Sequence, residues 1–253
     1  MKLGEEHPYF AVSGDKANRG KELNADRLEA FYRGGRTHVE AVLRVLKQHF
    51  SFEPCGRALD FGCGVGRLTC AMAPHFSEVV GLDVSAGMLA KAKYYCQGRG
   101  IRNIRHVNTS TGYAIPENKF DFAHTCIVLQ HMRIREGEQA VRQIVRALQN
   151  GGVGAIHFTY GHVNGRLYHS LRELPKRNVI TRAVGNILLG WRRDTPTMLM
   201  SGYSISRMLG ILAESGIEKM FVHRIDDWGS LGLFLFFRKG PDAASEWSNP
   251  MRP

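Results

Sequence analysis

The sequence has no apolar run long enough to cross a membrane. The longest, at 231–237, is strand length, well short of the roughly 18 residues a spanning helix needs. The first ten residues, MKLGEEHPYF, contain no apolar stretch, so no secretory leader is expected. Cysteine is scarce: five residues at 55, 63, 70, 96 and 126, with no CxxC pair and no Cys/His group at zinc-ligand spacing. They read as reduced thiols of a cytoplasmic protein, and no metal is expected. Internal repeats, low-complexity segments and blocks of five consecutive Lys/Arg are all missing. Acidic residues are outnumbered, 23 against 34 Lys and Arg, which leaves a net charge of +11. That excess suits an anionic partner (nucleic acid, a membrane surface or a phosphorylated substrate) or serves solubility alone.

The chain has 253 residues, 43% of them apolar and 23% charged. This composition excludes a disordered or fibrous protein. The length allows a full core without disulfides or metal.

Residues 25–50 read as helix, with apolar positions at Ala30, Phe31, Val39, Val42, Leu43, Leu46 and Phe50. Asn24 or Asp26 could cap it, and Gly34-Gly35 predicts a break into two helices or one broken helix. Over 57–160 short apolar strands alternate with helices. Strands are expected at 57–61, 78–83, 103–108, 120–128 and 153–160, with helices at 67–76, 86–99 and 135–148. This alternation implies βαβ units and a parallel sheet. The segment 161–198 interrupts it, with seven Arg/Lys against two acids and an amphipathic helical pattern at 178–191. A helix at 204–215, capped by Ser204, and strands at 217–224 and 231–238 close the pattern. The boundaries expected are an N-terminal helical lid over 1–50, one α/β domain over 51–240 with the basic insertion at 161–198, and a flexible tail over 241–253.

The most specific motif is Leu59-Asp-Phe-Gly-Cys-Gly-Val-Gly-Arg67, a strand running into a glycine turn that opens a helix. Glycine permits positive φ and close backbone approach, and the helix start offers free N–H donors. The glycines fall at 62, 64 and 66, and position 67 is Arg, which departs from the dinucleotide fingerprint G-x-G-x-x-G. Asp60, just before the turn, could accept from a ligand ammonium. Asp83 ends the next strand, where an acid can take two ribose hydroxyls.

With these residues the sequence resembles the class I S-adenosylmethionine-dependent methyltransferases. LDFGCGVGRLT (59–69), VVGLDVSAGMLAKA (79–92), FDFAHTCIVLQHM (120–132) and the Gly151-Gly152 turn carry the resemblance. It implies a Rossmann-like seven-stranded sheet with helices on both faces and a reversed last strand. It also implies S-adenosyl-L-methionine as cofactor and S-adenosyl-L-homocysteine as product. Carried over, Asp60, Gly62, Cys63, Gly64 and Gly66 would surround the methionine part and Asp83 the ribose. Val84 and Met88 would flank the adenine, and Ile127 would lie beside the cofactor. The acid that many members place after the third strand is missing from Asn108-Thr-Ser-Thr-Gly112, so Thr109 or Ser110 would substitute.

The acceptor is narrowed by signatures that are absent. The stretch Cys126-Ile-Val-Leu-Gln-His131 is not the (Asp/Asn)-Pro-Pro-aromatic motif of base-amine methylation. Cys126 follows Thr125 rather than proline and reads as packing. What remains is a hydroxyl or amine of a small-molecule or sugar-like acceptor. The alternatives are an RNA or lipid methyltransferase, or a binding protein that has lost catalysis. His131 and His162 are the candidate general bases, with Tyr160 behind them, while His124 and His157 read as core. Tyr9, Phe10, Phe31 and Tyr32 would form a lid over the cofactor or pack on the sheet. Arg36 would meet an anion or stay solvated. The basic insertion fits a cap over an anionic acceptor, a homodimer interface, or a contact with membrane or nucleic acid.

Overall fold

The computed structural model describes residues 8–13, 22–162, 199–217, 219–227 and 230–240. The insertion beyond 162 and the tail, together with the expectations placed on them, lie outside the described residues. The described elements are α1 (Pro8–Ser13), α2 (Ala25–Phe50), β1 (Arg57–Phe61), α3 (Arg67–Met72), β2 (Glu78–Asp83), α4 (Ala86–Gly98) and β3 (Ile104–Asn108). There follow β4 (Phe120–Thr125), α5 (Ile134–Ala147), β5 (Leu148–His162), α6 (Ile205–Glu214), β6 (Met220–Asp227) and β7 (Ser230–Arg238).

The strands form one seven-stranded sheet in the order β3-β2-β1-β4-β5-β7-β6. The first five in that order pair in parallel, and β7 runs antiparallel between β5 and β6. The chain order therefore reverses beside β1, between its neighbours β2 and β4. In an open α/β sheet, ligands bind outside the carboxyl ends of the strands at such a point. Both faces are covered. On one, Ile144, Val145, Met208 and Ile211 from α5 and α6 pack on Leu59, Leu82, Ile156 and Phe158. On the other, Val39, Leu43 and Leu46 of α2 and Met72 of α3 pack on Ala58, Phe122 and Val153. No helix among the described residues is long and apolar enough to cross a membrane.

Two expectations need correction. Helix α2 is not broken at Gly34-Gly35 but runs unbroken from Ala25 to Phe50. Each glycine costs a helix interior about 1 kcal/mol, which tertiary burial of the apolar face can outweigh. Gly35 has a packing reason as well: a Cβ there would collide with the Arg67 carbonyl, so its absence lets α2 approach α3. The second concerns the thiols. Cys55 and Cys63 are free thiols, but Cys70 and Cys96 are joined as a disulfide with Cα atoms 6.6 Å apart. They lie 26 residues apart on two different helices, so no short spacing announces them. The caps follow the sequence: the side chain of Asn24 accepts from Arg27 N–H, and that of Ser204 from Arg207 N–H.

Candidate functional site

The turn after β1 is shaped by glycine at three positions. Gly62, Gly64 and Gly66 have φ of 80°, 54° and 80°, a region glycine enters without steric cost. The turn is tied to the next strand, because Gly62 N–H and Cys63 N–H both donate to the Leu82 carbonyl, at 2.8 and 2.9 Å. The Asp83 carboxylate holds its rim. One oxygen accepts from Gly64 N–H and the other from Ser85 N–H, both at 2.8 Å. Burial pushes this carboxyl above its ordinary range, against the pull of the two N–H donors. Each carboxylate oxygen has a second lone pair, so the group can still accept from a pair of hydroxyls. Beside it Val84 stands 58% exposed, unusual for a branched apolar side chain, while Met88 is buried with its sulfur facing Gly64.

Other candidates fall differently. Asp60 is buried, accepts from the Thr69 hydroxyl at 2.6 Å and lies 3.7 Å from His124 Nδ1. Its side chain lies on the sheet face under α2 and α3. The Cys63 side chain also turns inward, its sulfur facing Gly81, and burial and the nearby Asp60 and Asp83 push its thiol up. Only its backbone can serve a ligand. Thr109 and Ser110 form a short 3-10 turn after β3. The Ser110 hydroxyl and N–H both donate to the Asn108 side chain, which leaves hydroxyl lone pairs to accept. Arg36 is ion-paired with Glu29 at 2.6 Å.

The N-terminal segment covers this region. A Cβ on Gly64 would come within 2.7 Å of Val12 from α1, so α1 lies directly over the glycine turn. Tyr9, Phe31 and Tyr32 pack in one cluster with Val65, Cys70 and Met88. The Tyr32 hydroxyl donates to the Val65 carbonyl, and its ring stacks on Tyr95 at 3.3 Å. The expected choice between lid and packing is thus no choice for Tyr9 and Tyr32, which pack on the walls of the turn they cover. The side chain of Phe10 lies outside the described residues.

Beyond β4 the chain turns at Ile127 and enters a short 3-10 segment, Leu129–His131. His131 Nδ1 is 2.8 Å from the Leu199 carbonyl. A carbonyl only accepts, so Nδ1 carries the proton and the neutral ring leaves Nε2 as its basic nitrogen. Gln130 Nε2 is 3.5 Å from that nitrogen, and its carbonyl oxygen accepts from the Thr159 hydroxyl at 2.9 Å. His124 and His157 are buried as expected. The side chain of His162 lies outside the described residues. Sequence reasoning missed Val12, Tyr95 and the Leu199 carbonyl, none of which belongs to a motif, and Gly81, which lies within 79–92 but was given no role.

Residues 58–152, from β1 through the turn at Gly151, match the family described as a methyltransferase domain. Among curated relatives, the uncharacterized methyltransferase YcgJ of Bacillus subtilis (strain 168) is 31% identical over 97 residues, 38% of either chain. The ubiquinone biosynthesis O-methyltransferase of Sodalis glossinidius is 30% identical over 149 residues, 54% of this chain and 58% of that one. The chain spans 28–59% of the length of the curated relatives it matches. The structure of magnesium protoporphyrin IX methyltransferase from Synechocystis PCC 6803 with bound SAH aligns at a TM-score of 0.58 and 17% identity, over 92% of this chain and 98% of that one. The two chains share a fold.

Proposed function

We propose that the chain is an S-adenosylmethionine-dependent methyltransferase acting on a hydroxyl or amine of a small-molecule or sugar-like acceptor. The carrying observation is the glycine turn bound to Asp83: a close-approach backbone, a carboxylate for a ribose diol and an exposed apolar Val84 for a purine face stand side by side. The names of the matched relatives and the ligand in the aligned structure support the same reading.

Bound S-adenosylmethionine supplies a methyl carbon on a sulfonium. That methyl would be open to in-line displacement by an acceptor lone pair, with the sulfonium sulfur as leaving group and keeping the electron pair. The residues have positional work. The backbone of Gly62 to Gly66 receives the amino-acid end, Asp83 orients the ribose, and Thr109 or Ser110 meets the adenine edge. Helix α1 and Tyr9 exclude water. Holding donor and acceptor in line removes much of the entropic part of the barrier. His131, its Nδ1 anchored on Leu199, takes the acceptor proton at Nε2 when the acceptor is a hydroxyl. An anionic acceptor is part of the proposal, supported by the net charge of +11. The same charge favours RNA or lipid as a second reading. A cytoplasmic location is supported by the free thiols of Cys55 and Cys63, with the Cys70–Cys96 pair standing against it.

The test is transfer of labelled methyl groups from S-adenosylmethionine into metabolite, lipid and RNA fractions. Label in the metabolite fraction is expected. Label confined to RNA or lipid would move the acceptor class, and no label in any fraction despite cofactor binding would favour a non-catalytic binding protein.

A further inference from the structure

Ile127 is the residue where the chain leaves β4, and its φ is +58°. Among the described residues, the other non-glycine residues with positive φ are Ser51 and Asn118, neither of them β-branched. A β-branched residue in the left-handed region is a genuine outlier that surrounding structure must hold in place. Here the hold comes from β5. Ile127 N–H donates to His157 Nδ1 at 3.2 Å. A backbone N–H can only donate, so Nδ1 accepts and the neutral ring carries its proton on Nε2. That Nε2 is buried and makes no hydrogen bond among the described residues. The ring lies against Phe234, at 5.2 Å between centroids, and against the bare backbone of Gly232. An apolar side chain would pack there without an unsatisfied donor, so packing alone does not account for a histidine.

The turn that His157 holds is seated on the glycine turn. A Cβ on Gly62 would collide with the side chain of Val128, the residue after Ile127. The Val128 carbonyl in turn accepts from His131 N–H at 2.9 Å. From this we infer that His157 is a positioning residue. Its Nδ1 fixes the left-handed step at Ile127, which seats Val128 against Gly62 and sets the start of the segment bearing His131. The inference rests on the proposed function for its consequence in cofactor binding. The contact itself stands on the geometry.

Two variants separate positioning from packing. His157→Asn keeps an acceptor where Nδ1 stands but loses ring volume. His157→Leu keeps more apolar volume but has no acceptor. Calorimetric titration with S-adenosylhomocysteine is expected to show about tenfold or greater weakening in His157→Leu and less than about threefold in His157→Asn, in keeping with one lost hydrogen bond and a relaxed strained residue. A purely packing role predicts the reverse order, and that result would overturn the inference. In the wild-type chain, a scalar coupling between the Ile127 amide nitrogen and His157 Nδ1 is expected by NMR. Its absence would overturn the inference even if His157→Leu fails to fold. If the wild-type chain binds no S-adenosylhomocysteine, the proposed function falls and the coupling alone decides the His157 contact.

Discussion

Two groups of polar residues flank β1, and they are built to opposite ends. On the β2 side, the Gly62–Gly66 turn and Asp83 lie at the carboxyl ends of the strands. There donors and acceptors keep unused capacity and Val84 is exposed. Under α2 and α3, Asp60, His124, His38 and His157 are turned onto one another. Asp60 accepts from Thr69, His38 Nε2 meets His124 Nε2 at 3.1 Å, and His157 accepts from Ile127. The first group is the one proposed to receive the ligand. The second spends its hydrogen bonds inside the protein, and burial keeps His38 and His157 neutral, pushing them down to about 3 and about 4. Polarity alone does not mark a site; polarity with open valence at the end of a strand does.

Substitutions should therefore act differently in the two regions. The largest effect is expected for Gly64→Val. Its φ of +54° disfavours a branched side chain, and Val12 leaves no room for one. Thermal shift with S-adenosylhomocysteine should disappear while the unliganded protein still melts cooperatively. A shift equal to wild type would place the ligand elsewhere. His131→Gln comes next, with turnover expected to fall about 10²–10⁴-fold on a hydroxyl acceptor at unchanged cofactor affinity. Single-turnover kinetics at saturating cofactor measure this, and a near wild-type rate would leave proximity as the mechanism.

The buried group is broken by acid rather than by ligand chemistry. His38 and His157 have folded-state pKa values below the ordinary 6.5, so the unfolded chain binds protons that the folded chain refuses. Their contribution is complete above about pH 6.5 and is lost as pH falls toward 4, by roughly 3 kcal/mol for His157 alone. Urea midpoints between pH 7.5 and 4.5 should fall steadily. His157→Leu should flatten part of that slope, whereas an unchanged slope would mean that the ring titrates normally.

The group proposed to face the ligand was legible in the sequence because it is local: nine consecutive residues and one acid at the end of the following strand. The strand–helix alternation from β1 to β5 was legible for the same reason, since each element declares its own period. What escaped depends on contacts between distant residues. Gly35 is tolerated in α2 because of Arg67, and Cys70 meets Cys96 across two helices. Asp60 belongs to the motif, but its contacts with Thr69 and His124 are made by the fold. The role of His157 is set by Ile127, 30 residues away.

Everything proposed for the glycine turn rests on Asp83 facing a ribose. The decisive measurement is a calorimetric titration of the wild-type chain and of Asp83→Ala with S-adenosylhomocysteine. Saturable one-to-one binding is expected in the wild type, weakened by about 2–4 kcal/mol in the variant, as for lost charge-assisted hydrogen bonds. Equal affinity in a folded Asp83→Ala, or no binding by the wild type, would contradict it.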